Sequence, residues 1–243
     1  MTAIKQFRYV FAWQLQKNLG FLIFSLLIQA LLSAGIVIGF TYLLGNPEPR
    51  IVLYLATGAP TLMMITTGLV IVPQQIASAK LGGELDFIRT WPVRRGVIMV
   101  TDAIIWLLIT IPGIAFAAFV AHILYEPGYA ISLTIIPSVL LTGLSAIGIG
   151  YGLAYILPPM VTMVISQVLV FGTLMFSPVN YPMENLPEWL QAVHNVLPIH
   201  SMAEVIRASL AKNTFTADAK HYIILSIWCV VGFMISLKLL NKR

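Results

Sequence analysis

The feature that most constrains this chain is where its charge is missing. No Asp, Glu, Lys or Arg occurs from Asn18 to Pro47, from Ile51 to Ala79, from Ala103 to Tyr125, from Pro127 to Met183, or from His221 to Leu237. A spanning helix needs about 20 mostly apolar residues, rising 1.5 Å each, to cross roughly 30 Å of hydrocarbon. Four of these runs meet that length or nearly so, and Pro127 to Met183 is long enough for two crossings. The pattern predicts an all-α polytopic membrane protein.

Composition agrees. Hydrophobic residues make up 59% and charged residues 9% of the chain, where a soluble domain carries roughly a quarter charged. So little aqueous sequence argues for a single membrane domain over residues 1–243. The net charge of +5 is spread over short loops, which is not the gathered basic face of a nucleic-acid binder. The single cysteine, Cys229, lies in the last apolar run, so neither a disulfide framework nor a cysteine metal site is available. The stretch Leu19 to Leu44 is far longer than the roughly 7–15 residues of a signal-peptide core and is read as a retained helix.

Six spans fit, at about 20–44, 51–75, 97–122, 131–156, 160–177 and 218–238. The long run is cut at Leu157-Pro158-Pro159, because adjacent prolines lack amide donors and clash with a continuing helix. Orientation follows the Lys/Arg bias. With the N-terminus inside, the cytoplasmic side holds Lys5, Arg8, Lys17, Lys80, Arg89, Arg94, Arg95, Lys238, Lys242 and Arg243. Only Arg50, Arg207, Lys212 and Lys220 fall outside. Both termini are expected in the cytoplasm of a multi-pass plasma-membrane protein.

Three segments are too polar or too broken to span. Residues 2–19 place Ile4, Phe7, Phe11 and Leu15 on one helical face, the mark of an amphipathic helix in the cytoplasmic interface; a plain basic anchor is the competing reading. In the loop 76–96, Gly82-Gly83 leads into a short helix, Glu84-Leu85-Asp86-Phe87-Ile88-Arg89-Thr90-Trp91, stopped by Pro92. Its acidic start and Arg89 near its end suit the helix dipole, and Asp86 can pair with Arg89 at i, i+3. Leu85, Ile88 and Trp91 share a side, so an exposed aromatic stripe for a partner is expected there rather than a merely solvated loop. Between the last two spans, Ser177-Pro178-Val179-Asn180-Tyr181-Pro182 breaks the helix. Two short apolar-faced helices follow within 178–212, one from about Pro187 and one opened by the Ser201-x-x-Glu204 capping box. They read as a re-entrant pair.

Much chemistry is absent. There is no Gly-x-x-x-x-Gly-Lys-Ser/Thr phosphate loop and no His-Glu-x-x-His pattern. Gly148, Gly150 and Gly152 lie in a span with no strand before them, so they are read as helix-contact residues. Gly143-Leu144-Ser145-Ala146 lacks the His that an intramembrane serine protease needs at matching depth. Ion-coupled carriers need buried ionisable groups, and only Asp102 comes close; an arginine of the preceding segment is its expected partner.

The order of these pieces resembles the membrane-spanning permease subunits of type-2 ABC exporters, the group with drug, lipid and polysaccharide exporters. The resemblance runs over nearly the whole chain. It is carried by the N-terminal amphipathic helix, the six spans, the stretch Gly83 to Arg95, and the outer stretch Phe176 to Pro182 with Leu186-Pro187-Glu188-Trp189-Leu190, Leu197-Pro198 and Glu204-Val205-Ile206-Arg207. It implies that 84–91 is a coupling helix, with Glu84, Leu85, Asp86, Ile88, Arg89 and Trp91 docking a separate ABC-type ATP-binding subunit. ATP and Mg would be bound by that subunit; this chain would have no cofactor, no metal and no ATPase site of its own. It also implies a second permease chain, identical or not, with a substrate path formed by the second and fifth spans. Lining residues would include Met63, Met64, Thr67, Met163, Gln167, Phe171 and Met175, and Tyr181 and Trp189 would pack in an extracellular gate. The function expected is outward movement of an amphipathic or apolar substrate. The alternative is a non-transport scaffold, immunity or assembly factor of the same fold.

Overall fold

The computed structural model describes residues 2–44 and 48–241, so the orientation signals Lys242 and Arg243 lie outside it. Ten α-helices make up its regular structure: α1 (Ala3–Leu44), α2 (Pro49–Thr66), α3 (Val72–Leu81), α4 (Glu84–Arg89), α5 (Arg95–Tyr125), α6 (Ile135–Ile156), α7 (Pro159–Phe176), α8 (Glu188–His194), α9 (Pro198–Leu210) and α10 (Ala219–Asn241). Among the described residues there is no strand, only an isolated parallel bridge between Ala130 and Ala211. Five helical stretches are long and apolar enough to cross a membrane, with α2 and α3 counting as one. A sixth is possible in α1, which bends by 48° between Ile4–Phe21 and Ile23–Gly39. The chain is an all-α polytopic membrane protein.

The α2–α3 helix runs from Pro49 to Leu81, six residues beyond the expected end of the second span, so the loop before α4 shrinks to Gly82 and Gly83. Gly83 adopts φ +71, a left-handed conformation open to glycine at no steric cost. The two prolines of this long helix are accommodated by name. Pro60 removes the bond to the carbonyl four residues back, and Tyr129 Oη donates to that freed Ala56 oxygen at 2.9 Å. Ahead of Pro73 the helix widens into a single π turn, Thr67–Ile71, which makes room for the proline ring. There Gly68 meets the backbone of Ala146 so closely that a Cβ would overlap it, and Gly150 meets Gly68 in the same way.

The middle of this helix, over most of residues 54–77, is buried inside the protomer. Around it, α1 packs along α5 and α6 along α10. Tyr125 Oη fastens α5 to α1 by donating to Val37 O at 2.7 Å. The glycine face of α6 meets α10 at Gly232, where a Cβ would overlap Gly148, so small residues bring the backbones together. Lys80, at the end of α3, donates to the carbonyls of Ala154, Tyr155 and Leu157. These are orphan acceptors at the end of α6, where a cation also suits the dipole. The chain reverses at Pro158-Pro159, with Pro158 as the N-cap of α7.

Helix α7 is the outlier. It leans on α3 and the π turn, and one long face stays uncovered: Val164, Val168, Phe171 and Met175 are each about 60–70% exposed.

Two local expectations are corrected. Ser201 does not open α9; the helix begins at Pro198, whose fixed φ suits a first turn, and Ser201 Oγ instead lies 3.1 Å from His221 Nδ1. Among the described residues Asp102 has no arginine partner: Tyr151 Oη and Trp106 Nε1 donate to its Oδ2 at 2.5 and 3.2 Å. Arg95, the nearest candidate in sequence, turns back to cap α4 through Ile88 O and Arg89 O.

Candidate functional site

Helix α4 is short, and burial decides which side it shows. Leu85 and Ile88 are 8% and 7% exposed, packed towards α5 and α1. Trp91 sets its ring edge-on to Trp13 of α1 at 4.7 Å and to Phe87 at 5.8 Å. The stripe Leu85, Ile88, Trp91 is therefore turned inward, because an apolar i, i+3 pair gains more from the protein interior than from water. The outward face is Asp86, Phe87, Arg89 and Thr90, with Phe87 59% exposed. Asp86 accepts from Arg89 at 3.0 Å, a surface pair worth at most about 1 kcal/mol. Glu84 pairs with Lys17 of α1. Helix α4 is thus bound at both ends to the N-terminal helix, and a force on one acts on the other.

The uncovered face of α7 forms a groove with α3 of about 790 Å³, lined by Gln74, Ser78, Met163, Gln167, Phe171 and Met175 among others. Four of the substrate-path residues expected from the sequence thus lie together. Met63, Met64 and Thr67 do not join them. Each is 1% exposed, with Met63 and Met64 in apolar clusters and Thr67 Oγ1 donating to Met63 O at 3.0 Å. What α2–α3 contributes to the groove is polar, Gln74 and Ser78, one turn and more beyond the π turn.

At the opposite end, α8 and α9 fold over the ends of α2 and α7. Tyr181 is half-buried and donates to Met175 O at 3.2 Å, while Trp189 is 68% exposed and packs little. The buried work is done by residues that sequence reasoning passed over. Arg207 is 1% exposed; it pairs with Glu204, donates to Val179 O at 2.8 Å, and lies 4.1 Å from the ring of Tyr54 and 5.6 Å from that of Phe215. Burial pulls Arg207 below its ordinary value, with Glu204 and Tyr54 opposing, and the guanidinium remains charged. Its signal in the sequence was the Glu204-x-x-Arg207 spacing. Beside it, burial lowers the His200 pKa to about 4, helped by His221, Arg207, His194 and Lys220. His194 is lowered by burial as well, although its Nε2 donates to Phe176 O at 2.9 Å. Tyr181 is raised by burial.

A long buried helix with a π turn, a short cross-braced helix at one end, two short helices at the other and an uncovered groove form a framework that can be compared with known families. The family model of ABC-2 type transporters matches residues 6–211. The chain belongs to that family. It is a membrane permease component of an ABC transporter, and the family in general works with an ATP-binding partner subunit. No curated protein matches this permease. The matched stretch takes in α4, the groove and Arg207 with Glu204, Val179 and Tyr54, and stops before Phe215 and α10. Among the described residues, no group of three or more His, Cys, Asp or Glu is placed to hold a metal ion.

Proposed function

We propose that this permease is the membrane part of an ATP-driven exporter of amphipathic or apolar substrates. A separate ABC-type ATP-binding subunit, carrying ATP and Mg, docks on the Asp86–Phe87–Arg89–Thr90 face of α4 from the cytoplasm. Both chain termini share that side. A second permease chain, identical or related, faces the α3–α7 groove, and substrate passes outward between the two. The observation that carries this reading is the groove itself: about 790 Å³ of chiefly apolar wall, on a helix one face of which no described residue covers. Methionines and a phenylalanine give such a wall the adaptability that varied apolar substrates require, and Gln74 and Gln167 supply a few polar contacts. Helices α8 and α9 close the outer end, stiffened by Arg207.

The test pairs two variants in inside-out vesicles, scored by ATP-dependent uptake of a panel of fluorescent amphipathic dyes. Phe171→Ala should change which dyes are carried. Asp86→Lys, at an exposed position, should abolish uptake while leaving the protein folded. Wild-type uptake and selectivity in both variants would overturn the assignment.

A further inference from the structure

Where α1 crosses the start of α5, beneath α4, a second cavity of about 280 Å³ opens, separate from the groove in all but Ser78. Asp102 lies in its wall. Both described hydrogen bonds to that carboxylate reach Oδ2, from Tyr151 and Trp106, which leaves Oδ1 available. Lys17 is the one basic residue among those lining the cavity, and it is already held by Glu84. The wall therefore carries two carboxylates and one ammonium. A second acceptor is also waiting: Gln14 is 5% exposed, lines the same cavity, and its buried Oε1 has no donor. Trp13, Trp106 and Tyr151 supply aromatic wall around these oxygens.

These features select one ligand chemistry. An anion would meet two carboxylates. A wholly apolar guest would leave Asp102 and Gln14 desolvated and unpaired, which costs more than the apolar contact returns. A small hard cation needs six or more oxygens around it, carboxylates chief among them, and among the described residues no group of three or more His, Cys, Asp or Glu is placed to hold a metal ion. An organic ammonium answers every element: its charge faces Asp102, its N–H groups reach Oδ1 and Gln14 Oε1, and its carbon-bound face suits the aromatic wall. We propose that this cavity binds an ammonium group, with Asp102 as its counter-ion and Gln14 as its second acceptor. Two sources present that group. Asp102 lies seven residues into α5, roughly 10 Å along the axis at 1.5 Å per residue, a depth that an aminophospholipid headgroup reaches; a free organic amine is the other. Either would sit against Lys17–Glu84 and so beside the brace that ties α1 to α4.

Full-length protein tests this in two arms. In the first, native mass spectrometry follows lipid retained from membranes of mixed phosphatidylethanolamine and phosphatidylglycerol. In the second, delipidated protein in neutral maltoside micelles is titrated with butylammonium chloride, read by tryptophan fluorescence, with sodium butyrate as the salt control. Wild type should retain phosphatidylethanolamine selectively, or show saturable quenching by butylammonium, or both; the first assigns the headgroup and the second a free amine. Asp102→Asn should weaken the response by about tenfold or more, the loss expected for a hydrogen-bonded charge partner. Gln14→Leu, which changes no charge, should weaken it severalfold, and it carries the test should Asp102→Asn fail to fold. No saturation and no selective retention in wild type, or equal responses in wild type and both folded variants, would overturn the proposal.

Discussion

Replacing Arg207 by alanine should destabilise the α9 end. The side chain is 1% exposed, so its removal leaves a void as well as broken bonds. It strips the partner from Glu204, the donor from Val179 O, and a cation from over the ring of Tyr54. Removing one member of a buried pair costs about 3–5 kcal/mol, because the other charge stays behind. Glu204 keeps 20% side-chain exposure and can regain water, so the lower end applies, about 3 kcal/mol. For a chain of this size each kcal/mol moves the midpoint by about 2–4 °C, which gives a drop of about 6–12 °C. Arg207→Lys keeps the charge but loses the planar fork and should fall between the two. The assay is thermal unfolding of purified protein in one detergent, followed by near-UV circular dichroism and by monodispersity on gel filtration. Arg207→Ala melting within about 1 °C of wild type would refute the reasoning that this cluster anchors α9 to α2.

Gly150→Val should prevent correct folding, since its Cβ would overlap the Gly68 carbonyl, a backbone atom that cannot rotate away; yield of monodisperse protein is the readout, and Gly172→Ala, in open space, is the control. Acid should destabilise the α9 end through His200. Its folded pKa of about 4 lies below the unfolded 6.5, so the unfolded chain binds the extra proton between those values. The contribution is complete above pH 6.5 and fades on acidification towards pH 4, amounting to about 3 kcal/mol if the whole shift is realised. His200→Gln should make the stability profile less steep between pH 6.5 and pH 4, with His194 accounting for part of the slope that remains, measured by thermal melts across that range. Lys80→Met should cost about 1–2 kcal/mol by uncapping the end of α6, seen as a midpoint about 2–8 °C lower.

The membrane class was legible because it depends on one-dimensional facts: charge cannot sit in hydrocarbon, so its absence over 17 to 57 residues marks membrane regardless of packing. The family was legible for a similar reason, since breaks and polar segments recur in a fixed order along the chain. What the sequence concealed is which way short helices face. Leu85, Ile88 and Trp91 share a side in any helix, but only the presence of Val10, Trp13 and Ile98 makes that side the inner one. Met63 and Met64 have the composition of a lining and the location of a core, because α6 and α9 close over them. Asp102 was noticed for its charge, and Trp106, four residues on along the same helix, is a partner that the spacing alone allows, but Tyr151 is an ordinary apolar-run residue until α6 is laid against α5. Lone residues such as Arg207 carry their meaning in three dimensions, through Tyr54 and Phe215 on distant parts of the chain.

The central claim is that the chain works as the permease of an ATP-driven complex, gripped through the outward face of α4. It is tested most directly by purifying the tagged chain from its own cells in mild detergent and identifying what accompanies it by mass spectrometry. Recovery of an ABC-type ATP-binding subunit with wild type, and its loss with Asp86→Lys and Phe87→Ala at unchanged folding, is the result this account requires. An intact, folded chain that brings no such subunit in any of several detergents, or one that holds it equally well in both variants, would contradict it.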